Sequence, residues 1–292
     1  MRARSWSVAW LVVALGAGPG GAQGPRVTLV PASPVQGTLF RVRLEGIGAE
    51  AAGAVAGSFA GEPLHFAATD NGGAEALAAV PIEAAGADTL RLVVPGAAAG
   101  GDTVRIAVPI TRGQYRLERL SVAPRFGREP DAATAARIER ERERAQAVSR
   151  ASHGTPRLWG GGFVRPRAAR VTSGFGEGRE FNGAVDSRHM GTDFAGAMGE
   201  PVRAAGRGVV ALVDNFYLAG NAVYIDHGAG LVTAYFHLSA TDVAPGDTVE
   251  AGQVIGRVGA TGRVTGPHLH WVARYGGIDV DPLSLLAVAP AR

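Results

Sequence analysis

Seven histidines occur in 292 residues, and two of them stand one residue apart in TGPHLHWVARY, residues 265–275. On a strand, residues i and i+2 project from one face, so His268 and His270 would point side by side. His189 and Asp193, in RHMGTDFAG, are four apart; a strand puts both on one face and a helix nearly does so. His237, in YFHLS, lies in another strand-like run, two residues after Tyr235. Four histidines and one carboxylate can therefore converge from three segments. Imidazole and carboxylate donors without thiolate suit Zn²⁺, and a catalytic zinc site keeps three protein ligands plus a water. Five candidates exceed three ligands, which leaves two groups for proton transfer or oxyanion stabilisation. Spacing alone does not say which two.

The segments that must position these side chains read as β-structure. From residue 158 onward the chain is Gly-rich, with apolar and β-branched runs such as GRGVVALVD, NAVYIDHG, LVTAYFHLS and HLHWVARY. Their spacing fits a compact antiparallel sheet or barrel-like sandwich. The final DVDPLSLL predicts one short helical stretch, capped by Asp281 ahead of Pro282. Gly174, Gly191, Gly220 and Gly266 are expected at tight turns or close backbone approaches, and Asn221 at a loop beside the cleft. His227, which ends a strand at a Gly turn, reads as structural and His153 as exposed. Tyr235 and Trp271 read as packing, with Tyr235 alternatively lining a groove.

Upstream, residues 25–112 contain RVTLV, TLFRVRLEG, TLRLVVPG and TVRIAVPI, short strands separated by Gly, Pro and Asp. They predict a small immunoglobulin-like β-sandwich. It carries no cluster of titratable groups, and His65 stands alone. Between the two domains, residues 125–154 predict a charged helical linker with a thin apolar stripe of Ile138, Ala145 and Val148, and Pro130 in its first turn. Such a helix either lies solvated between domains or partly covers the cleft of the second one, residues 155–292.

Residues 1–22 carry Arg2 and Arg4, an apolar stretch to about Leu15, then Gly20 and Ala22 at −3 and −1 of a cleavage site. This is the layout of a secretory signal peptide. The apolar run is short of the roughly 20 residues a spanning helix needs. An exported chain with no integral membrane segment after cleavage is expected, placed in the periplasm or envelope or secreted further. Cysteine is absent, so neither disulfides nor a lipidated N-terminal cysteine arises. All 29 basic residues are Arg, and the formal charge of +3 falls to +1 without Arg2 and Arg4. Residues 155–292 hold twelve Arg against twelve acids, so no clustered basic face marks a nucleic-acid partner.

HMGTDFAG and GPHLHW together resemble the H-x(3)-D and H-x-H motifs of the lysostaphin-type (LytM-domain) zinc endopeptidases. VTSGFG, GEPVRAAGRGVV, GNAVYIDHG, YFHLS, PGDTVEAGQVIGRVGATGRVTGPHLHW and the terminal VDP match in order, over residues 158–286. The resemblance implies His189, Asp193 and His270 as ligands of one Zn²⁺ per chain, and His237 and His268 as the catalytic pair. It implies hydrolysis of amides in the peptide part of bacterial peptidoglycan, with stem or cross-bridge peptides as partners. A non-catalytic activator of other wall hydrolases is the alternative, which intact ligands disfavour. The PGDTVEAGQVIGRVG hairpin also resembles biotinyl and lipoyl carriers, but the chain has no Lys to carry the cofactor. An envelope partner for the β-sandwich is a further expectation.

Overall fold

The computed structural model describes residues 11–14, 25–95, 103–126, 129–183 and 185–289. The expected signal peptide lies outside these residues except for Leu11–Ala14, a strand that pairs with Arg26–Val30. The chain divides into two compact units at Gly113/Gln114, and both are mainly β.

The first unit contains two antiparallel sheets. One joins Leu11–Ala14, Arg26–Val30, Leu39–Glu45, Ala74–Ala79 and Ala67–Ala68; the other joins Glu62–Leu64, Ala56–Phe59, Ala87–Val93 and Thr103–Pro109. Alternating residues turn inward, as in Thr103–Pro109, where Ile106 and Val108 are buried between exposed neighbours. Phe40 and Phe59 meet edge to face across the two sheets, with ring centroids 5.0 Å apart.

In the second unit the elements that matter are β1 (Leu117–Leu120), α1 (Ala132–Ala151), β2 (Val171–Ser173), β3 (Gly178–Phe181), β4 (Thr192–Ala195), β5 (Gly208–Phe216), β6 (Gly220–Gly228), β7 (Leu231–Leu238), β8 (His268–Tyr275) and α2 (Pro282–Val288). The main sheet runs β2-β4-β8-β7-β6-β5, with Thr248–Val249 beyond β5 and Ile278–Val280 also paired to β8. Every pairing in it is antiparallel. Period-2 alternation gives the sheet two faces. One buries Phe194, Trp271 and Tyr235. The other carries Ala222 and Tyr224 of β6, Val232 and Ala234 of β7 and Val272 of β8, packed under Ala145 of α1.

The charged helix is thus part of the second unit rather than a free connection. Its cap is Asp131, whose carboxylate accepts from Thr134 N at 2.7 Å, so Pro130 precedes the helix instead of opening it. Glu141, Ala145 and Ser149, at i, i+4 and i+8, form the buried stripe. Glu141 is tolerated there because its two oxygens accept from Arg137 Nε at 2.6 Å and Tyr217 N at 2.8 Å. Ile138 lies at the margin and Val148 packs beside Ala145.

Residues 114–124, which composition left without an element, also belong to this unit. Strand β1 pairs in parallel with β3, and Val122 and Phe126 bury against Phe181. At the other end Asp281 caps α2 as the sequence predicts, accepting from Leu283 N at 2.9 Å. Among the described residues no helix is long and apolar enough to cross a membrane.

Candidate metal centre and its flanking histidines

Strands β4 and β8 are neighbours in a register that places Asp193 directly opposite His270 and Ala195 opposite His268. Cross-strand partners share a face, so Asp193, His268 and His270 stand on the sheet face that also carries α1. His189 reaches the same point from the turn that leads into β4. That turn depends on Gly191: a Cβ there would lie 2.6 Å from Cε1 and Nε2 of His270 and 2.6 Å from the Trp271 carbonyl oxygen. Only a residue without a side chain lets the His270 ring sit this close to the chain.

Three atoms converge. His189 Nε2 is 3.0 Å from Asp193 Oδ1 and 2.8 Å from His270 Nδ1, and His270 Nδ1 is 2.7 Å from Asp193 Oδ1. All three residues are buried. The far nitrogen of His189 donates to the Gly174 carbonyl at 2.7 Å, with Ser173 Oγ at 3.1 Å. With Nδ1 committed there, the ring turns Nε2 toward the carboxylate, which itself only accepts. Acceptors packed this closely repel unless a proton or cation lies among them. Two imidazole nitrogens and one carboxylate oxygen are the donor set that suits Zn²⁺, and a carbonyl behind one imidazole is the usual support for such a ligand. The residues present fit a divalent metal.

Electrostatics point the same way. Burial raises the Asp193 pKa, but the neighbouring imidazoles of His189 and His270 outweigh it and hold the carboxyl well below its ordinary value. Burial pushes the His270 pKa down to about 4, so the ring is neutral and able to ligate near pH 7. The second Asp193 oxygen accepts from Arg179 Nη2 at 2.7 Å. Arg179 is held in turn by Glu118 of β1, Nε to Oε2 at 3.2 Å, and Ser173 Oγ ties to the same Glu118 oxygen at 2.9 Å. Arg179, Glu118 and Ser173 were invisible as site residues in the sequence.

His237 and His268 flank this triangle. Their ring centroids are 4.9 Å apart, and His237 is 5.7 Å from the His270 ring. His268 Nε2 lies 3.7 Å from Asp193 Oδ1. Each donates its Nδ1 proton to a carbonyl at 2.8 Å, His237 to Thr261 and His268 to Gly266. In each ring Nε2 is then the nitrogen left without a hydrogen bond among the described residues. Burial, then the nearby His268 and His270, lowers the His237 pKa well below its ordinary value.

Simple alternation would put His237 on the Tyr235 face, away from the site. Between the Val223/Tyr235 and Asn221/Leu238 pairs, β7 has one more residue than β6. This bulge, with His237 at φ 64°, swings the ring to the site side. Asn221 holds the distortion, donating Nδ2 to the Leu238 carbonyl at 2.9 Å. Gly220 is required beside it, since a Cβ would meet Thr261 Oγ1 at 2.2 Å. Gly174 and Gly266, by contrast, have room for a side chain. Phe236, stacked on His270 at 5.4 Å and packed against the cluster under α1, links the helix to the site.

The other expected residues fall elsewhere. Tyr235 is on the opposite face, its hydroxyl accepting from Ala205 N at 2.7 Å, so it does not line a groove. Trp271 is buried on that face as well. His227 is fully buried between the Arg207 carbonyl and Thr233 Oγ1. His153 is half-buried against the Tyr275 ring, 5.6 Å away, rather than exposed.

Residues 187–282 match the family described as Peptidase family M23, and the chain carries an M23 domain of the lysostaphin type. A stretch of 102 residues, 35% of this chain, is 48% identical to the DD-carboxypeptidase/endopeptidase Mpg of Neisseria meningitidis, covering 24% of that protein. The peptidoglycan DD-endopeptidase ShyC of Vibrio cholerae is 43% identical over 115 residues, which are 39% of this chain and 26% of ShyC. The chain thus spans about a quarter of the length of these curated relatives. A Pseudomonas aeruginosa protein crystallised as a supposed M23 peptidase superposes with a TM-score of 0.67 at 26% identity, over 88% of this chain and 96% of that one.

Proposed function

We propose that the M23 domain is a zinc-dependent endopeptidase that hydrolyses amide bonds in the peptide part of bacterial peptidoglycan. The observation that carries this reading is the convergence of His189 Nε2, His270 Nδ1 and Asp193 Oδ1 within 3.0 Å, flanked by two histidines with free Nε2 atoms. The similarity to enzymes named as peptidoglycan DD-endopeptidases supports the substrate.

In this reading His189, Asp193 and His270 hold one Zn²⁺ per chain. The bound ion supplies Lewis-acid polarisation of the scissile carbonyl and acidifies its water. Of His237 and His268, one Nε2 would take the proton of the attacking water while the other ring steadies the developing oxyanion. Their backbone hydrogen bonds through Nδ1 hold both rings in place. Arg179 holds the orientation of Asp193 through its outer oxygen. The chain is exported by its N-terminal signal, and the first unit, an immunoglobulin-like sandwich in our reading, serves targeting or an envelope partner.

Digestion of purified cross-linked peptidoglycan, followed by mass analysis of the soluble products, tests this. Zinc-loaded protein should release peptides whose masses sum to that of the intact cross-linked unit plus one water per cut amide, and a chelator should stop their release. Intact cross-links after incubation with fully loaded protein would refute it.

A further inference from the structure

A cavity of about 480 Å³ opens beside the site, and its walls include Asp193 and His268 together with Arg170, Arg179, Arg263 and Glu118. Its charges do not balance. Glu118 and Asp193, the two acids in the wall, are both taken by Arg179. Among the described residues neither Arg170 nor Arg263 has a carboxylate partner. Arg263 is the more informative of the two. Its guanidinium carbon lies 4.0 Å from the centroid of the Phe181 ring, a cation–π contact, and among the described residues the guanidinium N–H donors make no hydrogen bond. Burial, and then the nearby Arg179, lowers its pKa to about 10, so it still carries its charge near neutral pH. A half-buried guanidinium against an aromatic ring, with no counter-ion among the described residues, in the wall of the cavity that reaches the candidate metal ligand, is prepared for an anion from outside. Planar bidentate donors match a carboxylate.

We propose that Arg263, aided by the exposed Arg170 at the rim, is a specificity-determining residue that receives a free carboxylate of the peptide substrate close to the amide presented at Asp193 and His268. The proposal rests on the hydrolase reading for its substrate, but it is a statement about recognition and is testable without turnover.

The probe is a pool of soluble cross-linked peptides freed from purified peptidoglycan, compared with the same pool after its carboxylates are converted to carboxamides with carbodiimide and ammonia. Binding of each pool to the full-length, metal-stripped chain is measured by calorimetry, and hydrolysis of each by the zinc-loaded chain is measured separately. The native pool should bind about ten- to a hundredfold more tightly, as expected for one charge-assisted contact. Arg263→Ala should remove that preference and leave affinity for the amidated pool within about twofold. Arg263→Gln, which keeps a polar side chain without the charge, should do the same, and Arg263→Lys should restore part of the preference. Arg170→Ala, an exposed change, should reduce the preference about threefold. Equal binding of the two pools, no binding of either, or a preference that survives in folded Arg263→Gln overturns the proposal. If wild type prefers the native pool yet cuts neither, the carboxylate site stands and the hydrolase reading falls. If it cuts both without preference, the reverse holds.

Discussion

Gly191 offers the sharpest test of how the candidate centre is built. A methyl group at this position would stand 2.6 Å from two atoms of the His270 ring and 2.6 Å from the Trp271 carbonyl. Ordinary contact needs about 3.4 Å or more, so roughly 0.8 Å must be found. The carbonyl is backbone of β8, held in the sheet beside Thr192, and cannot retreat without breaking register. The His270 ring is the softer neighbour, but it is confined by Phe236 stacked on it. Metal–ligand distances tolerate only about 0.2 Å, so a ring displaced by several tenths of an ångström loses its place in the triangle. Gly191→Ala should therefore weaken zinc affinity by at least 10- to 100-fold, the range for disturbed ligand support. It should also cost about 1–3 kcal/mol of stability from overpacking. Competition with a chromophoric chelator measures the first, and urea unfolding of the metal-free protein the second. Gly160→Ala, where a Cβ meets nothing within 4 Å, is the control. Wild-type zinc affinity in Gly191→Ala would refute the argument that this glycine exists to admit His270.

Other outcomes follow from the same geometry. Alanine at His189, Asp193 or His270 should abolish zinc binding and hydrolysis together, whereas His268→Ala and His237→Ala should retain zinc and lose turnover by about 10²–10⁴-fold; metal analysis beside wall-digestion rates separates the two groups, and zinc loss in His268→Ala with retention in His270→Ala would reverse the assignment. His227, whose pKa burial lowers from 6.5 to about 4, stays neutral when folded while the unfolded chain takes up a proton below pH 6.5. Its contribution, about 3 kcal/mol, is present above pH 6.5 and lost as pH falls toward 4; urea midpoints against pH should be visibly flatter in His227→Gln. A fragment of residues 114–292 should fold and bind zinc. One starting at residue 155 lacks both the helix over Tyr224 and Val272 and the strand that holds Arg179, so its melting temperature should be lower.

The parts of the site that sequence could display are those set by local spacing. His268 and His270 share a strand face, and His189 and Asp193 are joined by one turn, so their convergence needed only a period-2 rule and neighbouring strands. The strand runs themselves, with Gly and Asp punctuation, were legible for the same reason. The proposed division of the histidines into ligands and flanking bases was not in the spacing and came through family resemblance. His237 reaches the site against the alternation of its own strand, because one extra residue in β7 turns it over. A bulge of that kind leaves no mark in a hydrophobic pattern. Arg179 and Glu118 escaped notice because they are 61 positions apart and meet only through a parallel pairing of two short strands. The helix looked solvated because its buried stripe is Glu141, Ala145 and Ser149, and the acid is acceptable only through partners distant in sequence.

The left-handed backbone of His237 has a consequence for the balance between durability and chemistry. A side chain at positive φ costs on the order of 1–3 kcal/mol, which glycine does not incur. At most positions glycine is the worst replacement for a larger residue; here His237→Gly should give a sturdier fold than His237→Ala. The protein keeps at this point a residue its backbone would rather do without. Selection for thermal endurance alone would drift toward glycine at 237, and selection for catalysis would hold the histidine against that drift, so this single position would report which of the two pressures a population of variants has experienced.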